Sequence, residues 1–185
     1  MELLKMKKLA LILSLAGFSA FAAENLIKNG DFEKTELESW SHGQTLSDGS
    51  KAFTVIEKDG SKVLRCTGDE KSPKNNFITL TQYINPPLKA DTAYTIEAKI
   101  TPKVNYRSGK TFRICIRQAN AKNQTLKYFP QMVARLTDKE TKTHRFRFTP
   151  EKDAAKFYIY VWCSNIASSD EILVDDIKLY PVENE

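Results

Sequence analysis

The sequence has little histidine and little cysteine, the residues that build most zinc centres and many nucleophilic active sites. Its 185 residues include two histidines, His42 and His144, and three cysteines. No CxxC pair and no histidine-rich cluster occurs, which excludes a zinc site of the usual spacing. Neither histidine accompanies a GxSxG motif, which excludes a hydrolase built on that nucleophile turn. The alternation of His144 with Phe146 and Phe148 favours a place in a strand over a catalytic role.

The three cysteines, Cys66, Cys115 and Cys163, permit one disulfide and one free thiol in an oxidising compartment. Their contexts favour packed thiols, because Cys66 follows Val63-Leu64 and Cys163 follows a run of aromatic residues. Both readings remain open from the sequence. If a bridge forms, Cys115 with Cys163 is the best pair.

Long apolar runs are absent except near the start of the chain. Lys5, Lys7 and Lys8 precede an apolar run from Leu9 to Ala22, which ends in the small-x-small spacing of Ala20-Phe21-Ala22. The run is shorter than the roughly 20 residues that a spanning helix needs. We therefore expect a cleaved signal peptide over residues 1–22 and one domain over residues 23–185. The expected location is secreted or periplasmic, with no membrane insertion after cleavage.

An excess of one charge is also lacking. The formal net charge is +5 and the pI about 9.0, but acidic and basic residues are interspersed and the targeting segment contributes three lysines. The densest basic stretch, Lys139 to Arg147, is typical of the solvated face of a strand, with contact to an anionic polysaccharide as the alternative. Nucleic acid is not an expected partner of an exported protein of this composition.

What the sequence does contain is a series of short alternating segments, with no sustained helical period after residue 22. Turn signals such as Asp59-Gly60, Pro86-Pro87 and Ser108-Gly109 separate them. The pattern predicts an all-β sandwich or jelly roll of two packed antiparallel sheets. The predicted strands cover residues 77–84, 93–100, 111–118, 144–148, 157–163 and 171–180.

The segment from Phe157 to Cys163 is the most informative of these strands. Alternation places Phe157, Ile159, Val161 and Cys163 on one face and Tyr158, Tyr160 and Trp162 on the other. In residues 111–118 the same parity turns Arg113, Cys115 and Arg117 outward. Tyrosine and tryptophan have a polar edge that tolerates water, so this face suits an open groove. The alternative is a central strand that is buried on both sides.

Both ends of the mature chain carry motifs of a known family. The opening Asn25-Leu-Ile-Lys-Asn-Gly-Asp-Phe-Glu33, followed by Trp40, and the closing Ile172-Leu-Val-Asp-Asp-Ile-Lys-Leu179 resemble carbohydrate-binding modules of the family 4, 9 and 22 kind, within the galactose-binding-like superfamily. Residues 61–64, 80–84 and 89–96 agree with this resemblance, which covers residues 25–182. It implies a jelly roll that binds a polysaccharide or oligosaccharide in a groove on its concave sheet. It also implies that Trp40 packs in the core beneath the opening motif.

The resemblance further implies a structural calcium ion where the two end motifs meet. Calcium takes six to eight oxygen ligands. By motif position, Glu33 and Asp175 would supply carboxylates and Asp31 a main-chain carbonyl, while Asp59 and the carbonyl of Lys62 would complete the shell. The alternative is that Asp175 and its neighbour Asp176 merely alternate, one exposed and one paired with a lysine.

Sugar recognition needs aromatic rings that stack on pyranose faces and polar groups that bond hydroxyls. The strand face described above supplies Tyr158, Tyr160 and Trp162, and the neighbouring parity supplies Arg113 and Arg117, provided that the two strands are adjacent. The other candidates are the aromatics Phe77, Tyr128, Tyr106 and Phe129 and the amides Gln82 and Gln118.

Two other function classes compete with a binding module. Paired carboxylates could hydrolyse a glycoside, and Glu97 with Glu140 or Asp175 with Asp176 are the available pairs, but neither lies in a recognised motif. We therefore expect no catalytic residues. A structural or protein-binding module of the same fold, with a protein partner in the cell envelope, is the stronger alternative, since one fold hosts many functions.

Overall fold

The computed structural model describes residues 24–34, 36–42, 46, 50–69, 77–105 and 109–182. The expected signal peptide lies outside these residues. The described residues form ten strands and no helix, and they therefore include no helix that could cross a membrane. The strands are β1 Ser41–His42, β2 Phe53–Lys58, β3 Ser61–Cys66, β4 Phe77–Tyr83, β5 Tyr94–Lys103, β6 Thr111–Ala119, β7 Thr125–Val133, β8 Lys142–Phe148, β9 Lys156–Ser164 and β10 Glu171–Pro181.

The strands form two five-stranded sheets. The first sheet has the order β1-β4-β9-β6-β7 and the second has the order β2-β3-β10-β5-β8, with antiparallel pairing throughout. Strands β3 to β6 lie alternately in the second and the first sheet. β7 then pairs beside β6 and β8 beside β5, while β9 lies between β4 and β6 and β10 lies between β3 and β5, which is jelly-roll topology. The prediction of an all-β sandwich with two antiparallel sheets is confirmed.

Six of the ten strands were predicted within a few residues of their ends, whereas β1, β2, β3 and β7 were not predicted. The longest of these four is β7. Its sequence, Thr125-Leu-Lys-Tyr-Phe-Pro-Gln-Met-Val133, has a proline in the middle, which argues against a central strand. The structure resolves this conflict because β7 lies at the edge of the first sheet, where a missing amide hydrogen bond is tolerated.

Strand alternation builds the core between the sheets. Phe112, Ile114 and Ile116 of β6 and the predicted inner face of β9 are fully buried there. Cys115 lies on the outer side of β6, as its parity predicted, but it is fully buried among the other side chains of that face.

All three cysteines are buried free thiols. A Cys115–Cys163 bridge is incompatible with the fold, since Cys163 pairs with Phe112 and points into the core while Cys115 points to the opposite side of the sheet. Cys163 instead lies beside Cys66 of the second sheet. Burial raises the pKa of the Cys66 thiol well above its usual range, and its contact with Cys163 raises it further.

The two ends of the described chain meet, as the motifs predicted. The amide of Leu26 donates to the carbonyl of Leu179 at 2.8 Å, and the amide of Ile177 donates to the carbonyl of Gly30 at 2.8 Å. A Cβ at Gly30 would lie 2.1 Å from the Ile177 carbonyl oxygen, so this close approach requires glycine. Trp40 is buried, as predicted, with its ring stacked on Phe32 at 5.9 Å between centroids.

Candidate functional site

The outer face of the first sheet gathers most of the predicted ligand residues. β9 pairs with β6 on one side and β4 on the other, so the adjacency on which the prediction depended is present. The register sets Trp162 opposite Arg113 and Tyr158 opposite Arg117. We name this surface the aromatic face and define it by Phe77 and Tyr83 of β4, Tyr158, Tyr160 and Trp162 of β9, Arg113 and Arg117 of β6, and Tyr128 of β7.

The rings of the aromatic face contact one another across three strands. Phe77 packs on Trp162 at 5.4 Å and Tyr83 on Tyr158 at 5.2 Å between centroids. Tyr128 makes edge contacts with Tyr160 at 5.9 Å and with Trp162 at 6.3 Å. Because tilted and edge-to-face geometries are the favourable ones for aromatic pairs, these contacts hold each ring in place. The result is a cluster of four contacting rings, Phe77, Trp162, Tyr128 and Tyr160, and a second contacting pair on the same face, Tyr83 with Tyr158.

The aromatic face borders the exposed apolar surface of the described residues. All of their large exposed hydrophobic side chains lie on β4 or β7, the strands that flank the β9–β6 pair. An exposed apolar cluster of this kind on one face of a protein marks an interaction site rather than ordinary surface. These side chains are Phe77, Tyr83, Leu126, Tyr128 and Val133.

The guanidinium of Arg113 lies over the indole of Trp162, with its carbon 3.7 Å from the ring centroid. This distance is that of a cation–π stack. Its Nη1 donates to Oε1 of Gln131 at 2.9 Å, and Gln131 in turn donates to the carbonyl of Tyr128 at 3.0 Å. Two buried donors in this stack, Nε of Arg113 and Nε1 of Trp162, have no hydrogen-bond partner. Buried donors are rarely left unpaired, so it is unusual that both of these N–H groups lack an acceptor.

Arg117 is fixed by the loop that joins β6 and β7. Its Nε donates to the Thr125 hydroxyl at 2.8 Å, and its Nη2 donates to the carbonyl of Asn123 at 2.8 Å. The hydroxyl of Tyr158 donates to Oδ1 of the same asparagine at 3.3 Å. The guanidinium carbon lies 5.1 Å from the Tyr158 ring. The loop thus holds Arg117 and Tyr158 as a second arginine–aromatic pair.

The centre of the aromatic face is partly desolvated. Burial raises the pKa of the Tyr160 phenol, although the charge of Arg117 opposes this effect. Burial also raises the pKa of Cys115 to about 11, and Arg113 opposes this effect in turn. Both groups are therefore neutral at physiological pH. The charge of this surface comes from its two arginines.

Gln82, Gln118 and Phe129 do not join the aromatic face. The buried side-chain amide of Gln82 exchanges two hydrogen bonds of 2.8 Å with the backbone of Lys28. The amide of Gln118 donates to the Phe129 carbonyl and accepts from the Glu151 amide. Phe129 packs against Phe146 of the second sheet. Alternation explains both glutamines, since each shares its parity with the buried residues of its strand. Tyr106 lies outside the described residues.

Tyr83 belongs to the aromatic face but was not among the ligand residues predicted from the sequence. It is 47% exposed and shares its parity with Phe77, Thr79 and Thr81, so alternation along β4 was the signal that could have found it. Gln131 was also missed. No local pattern indicated Gln131, because a bulge in the β6–β7 pairing decides which side chains of β7 face outward.

The residues predicted to hold calcium lie near the meeting point of the two end motifs. Oε1 of Glu33 accepts from the amide of Lys62 at 2.9 Å, and the Lys62 ammonium donates to the Glu33 carbonyl at 2.9 Å. Oδ1 of exposed Asp31 accepts from the Glu33 amide at 3.4 Å. Asp59 and Asp175 line one cleft of about 170 Å³. Among the described residues, no three acidic, histidine or cysteine side chains converge tightly enough to hold a metal by themselves.

The two adjacent aspartates of β10 differ in environment. Asp176 pairs with the ammonium of Lys99 at 2.6 Å, and this bond lowers the pKa of its carboxyl. Burial raises the pKa of Asp175, and the negative charges of Asp176 and Glu33 add to the effect. Asp175 therefore carries a half-buried carboxylate whose charge is disfavoured by its surroundings. Such a group gains from a nearby cation.

Comparison with models of protein families shows which family this chain belongs to. A family model described as a carbohydrate binding domain, CBM_4_9, matches residues 24–168. The chain belongs to this carbohydrate-binding family. No curated protein matches the chain by sequence. The resemblance drawn from the end motifs is confirmed.

Solved structures with the same fold are distant in sequence. The CBM22-1 xylan-binding domain of Paenibacillus barcinonensis Xyn10C has a TM-score of 0.60 at 14% identity, over 89% of this chain and 98% of that one. TmCBM61, solved with β-1,4-galactotriose, has a TM-score of 0.56 at 16% identity, over 86% of this chain and 100% of that one. The enzymatically active domain of bacteriophage CBA120 tailspike protein 4 has a TM-score of 0.62 at 13% identity, over 85% of this chain and 21% of that one. This chain therefore spans about a fifth of the tailspike domain. At such identities the comparisons establish the fold alone.

Proposed function

We propose that this member of the carbohydrate-binding family is an exported, non-catalytic module that holds a glycan chain on the aromatic face. The observation that carries the proposal is the two groups of contacting rings on the outer face of the first sheet, bordered by the exposed apolar side chains of β4 and β7. The apolar faces of pyranose rings fit such a surface. A few polar groups placed among rings then set orientation and specificity.

The dimensions of the aromatic face favour a chain over a single sugar. Phe77 and Tyr83 lie six residues apart on β4, which corresponds to about 20 Å at the rise of a strand. That length accommodates several sugar units. Thr79 and Thr81 lie between the two rings on the same face and offer hydroxyls, and Gln131 offers an amide. These groups are suited to hydrogen bonds with sugar hydroxyls.

A binding role without catalysis is supported by the chemistry of the face. Strands β4, β6, β7 and β9 contain no aspartate or glutamate. Glycoside hydrolysis by the common mechanism needs two carboxyl groups beside the scissile bond. Of the carboxylates considered from the sequence, Glu97 lies on the second sheet and is engaged by Arg145. A chain bound on the aromatic face therefore meets no carboxyl pair on those four strands.

The proposal includes a structural calcium ion near the junction of the chain ends. Glu33 and Asp175 would supply its carboxylates, with Asp31, Asp59 and the Lys62 carbonyl as further candidates. The disfavoured charge of Asp175 supports this placement. The Lys62 ammonium at the Glu33 carbonyl competes with it and would have to move. Calcium would offset the repulsion between the carboxylates and stabilise the folded state by mass action.

The proposal also includes export through the expected signal peptide. The mature protein would begin at Ala23, and its location would be periplasmic or extracellular. Intact mass measurement of the protein recovered from an exporting host tests this directly. A mass that retains residues 1–22 would contradict the cleavage.

Binding to a glycan panel tests the central claim. Purified residues 23–185 should be retarded by at least one soluble polysaccharide in affinity electrophoresis. Phe77→Ala and Tyr128→Ala should each weaken binding about 5- to 30-fold, since truncation of a central aromatic commonly costs about 1–2 kcal/mol. Tyr180→Ala on the second sheet is the matched control and should leave binding unchanged.

Two results of the glycan panel would contradict binding on the aromatic face. If the folded protein binds no glycan, or if Tyr180→Ala weakens binding as much as Phe77→Ala, the aromatic face is not a glycan site. A folded protein without glycan binding would favour the alternative of a protein partner in the envelope. Circular dichroism of each variant separates lost binding from lost folding.

A further inference from the structure

The strands of the first sheet have an unusual charge composition. β4, β6, β7 and β9 contain no carboxylate but carry Arg113, Arg117, Lys127 and Lys156. Lys127 pairs with Glu151 outside the sheet. The two arginines of the aromatic face bond only neutral groups, the side chains of Gln131, Thr125 and Asn123 and one backbone carbonyl. Both cations therefore lack a carboxylate partner among the described residues.

The second sheet shows the opposite behaviour. Lys99 pairs with Asp176 and Lys103 pairs with Glu171, each within the sheet. Arg145 pairs with Glu97 on the neighbouring strand. The strands of the second sheet thus supply carboxylates to three of that sheet's own cations, whereas β4, β6, β7 and β9 of the first sheet supply none. The aromatic face consequently has a positive potential without internal compensation, and such a surface attracts anions.

The unpaired donors lie on the same surface. Arg113 Nε and Trp162 Nε1 both lack an acceptor in the stack that joins the two side chains. A donor of this kind is satisfied only by an oxygen that enters the stack, and an oxyanion is the strongest acceptor for a guanidinium. Both donors are shielded from solvent. A ligand therefore reaches them when the Arg113 side chain moves, which also uncovers the indole for stacking.

We propose that the glycan bound on the aromatic face is acidic, a chain whose sugars carry carboxylate or sulfate groups that pair with Arg113 and Arg117. This inference rests on the proposed function, which it makes more specific. The two arginines are four residues apart on one face of β6, about 13 Å along the strand. They therefore engage charges on different sugar units. The rings between them hold the intervening sugars.

The test compares uncharged and acidic chains on the mature protein. Polygalacturonate and alginate carry carboxylates, dextran sulfate carries sulfate esters, and xylan and mixed-linkage β-glucan serve as neutral chains. We expect an acidic chain to bind at least about 10-fold more tightly than any neutral chain at low salt. Affinity should fall as sodium chloride rises from 20 to 500 mM, because salt screens charge pairs of this kind. Comparison of the two acidic classes identifies the anionic group.

Two variants and a charge-matched control assign the effect to the arginines. Arg113→Gln and Arg117→Gln should each weaken acidic binding about 10-fold, as expected for lost charge-assisted hydrogen bonds, and should flatten its salt dependence. Arg147→Gln removes the same charge from an exposed site on β8 of the second sheet, so it should leave binding unchanged. Ligand-induced fluorescence change should vanish in Trp162→Phe, since the other tryptophan, Trp40, is buried in the core.

The outcomes separate the inference from the proposed function. Preferred binding of a neutral chain, insensitive to salt and to Arg113→Gln, would overturn the acidic ligand while leaving the glycan module intact. Equal loss in Arg147→Gln and Arg113→Gln would also overturn it, since the attraction would then be general. Failure of every chain to bind a folded protein would overturn both proposals. Unfolding temperatures of the variants confirm that binding is measured on folded protein.

Discussion

The buried ion pair between Lys110 and Asp170 offers the sharpest test of how the fold is held together. The Asp170 carboxylate is fully buried and the Lys110 side chain is 9% exposed, with 2.5 Å between their charged atoms. Asp170 also accepts from the amide of Asn105 at 3.0 Å and from the amide of Ala167 at 2.8 Å. One carboxylate therefore ties together the segments that lead into β6 and β10.

Asp170→Ala would leave two backbone amides without acceptors and the buried Lys110 ammonium without a counter-charge, although that ammonium keeps its bond to the Asn105 carbonyl. Removal of one partner of a buried ion pair costs about 3–5 kcal/mol, because the remaining charge stays desolvated. At about 2–4 °C per kcal/mol for a chain of this size, the unfolding temperature should fall by roughly 6–20 °C. Chemical unfolding followed by circular dichroism measures the loss of free energy directly.

The control is the adjacent ion pair of Glu171 with Lys103. These side chains are 27% and 53% exposed, so Glu171→Ala should cost less than about 1 kcal/mol. Replacement of both buried partners, Lys110→Met with Asp170→Ala, should cost less than the sum of the single changes, because it leaves no unpaired charge. A cost for Asp170→Ala no larger than that for Glu171→Ala would refute the argument from burial.

Three further predictions follow from titratable groups. Burial raises the pKa of Asp175 in the folded protein, so the ionised carboxylate lowers stability as the pH rises through this raised pKa. In chelator, Asp175→Asn should therefore unfold at a higher temperature than wild type. The same variant should lose any stabilisation by calcium. An equal calcium shift in both proteins would argue against Asp175 as a ligand. Burial lowers the pKa of His144 in the folded protein. The neutral imidazole therefore contributes stability above its unfolded pKa of about 6.5, and this contribution is lost as the pH falls. Between pH 7 and pH 5 the unfolding free energy of His144→Gln should drop less than that of wild type. The thiols should resist iodoacetamide at pH 8 in the native protein, with Cys115 protected by burial and a pKa of about 11, and all three should react in urea without reductant. Two thiols missing in urea would reveal a disulfide.

The faces of individual strands could be predicted from the sequence. Alternation along β9 and β6 gave the correct sides for Tyr158, Trp162, Arg113 and Arg117. It works because successive side chains of an extended strand point to opposite sides, a consequence of local covalent geometry. The same rule, applied strictly to β4, would have removed Gln82 from the ligand residues and added Tyr83.

Other features depended on contacts that local patterns do not contain. The proline in β7 is acceptable only because that strand lies at a sheet edge, and edge position is a property of the whole sheet. Cys115 follows the predicted parity yet is buried, since neighbouring side chains cover it. The predicted calcium ligands came from the resemblance at the chain ends, and the observed contact between Lys62 and Glu33 was not visible in the sequence.

The sequence by itself determined the all-β class, six of the ten described strands with their two faces, and membership of a carbohydrate-binding family, because these depend on residue order over short spans and on end motifs. Only the tertiary structure decided that β6 and β9 are neighbours, that Arg113 stacks on Trp162 and that both side chains retain unpaired donors. The two strands are separated by β7 and β8 along the chain. Their pairing follows from the packing of both sheets around one core, and burial and hydrogen bonding on the aromatic face follow from that pairing.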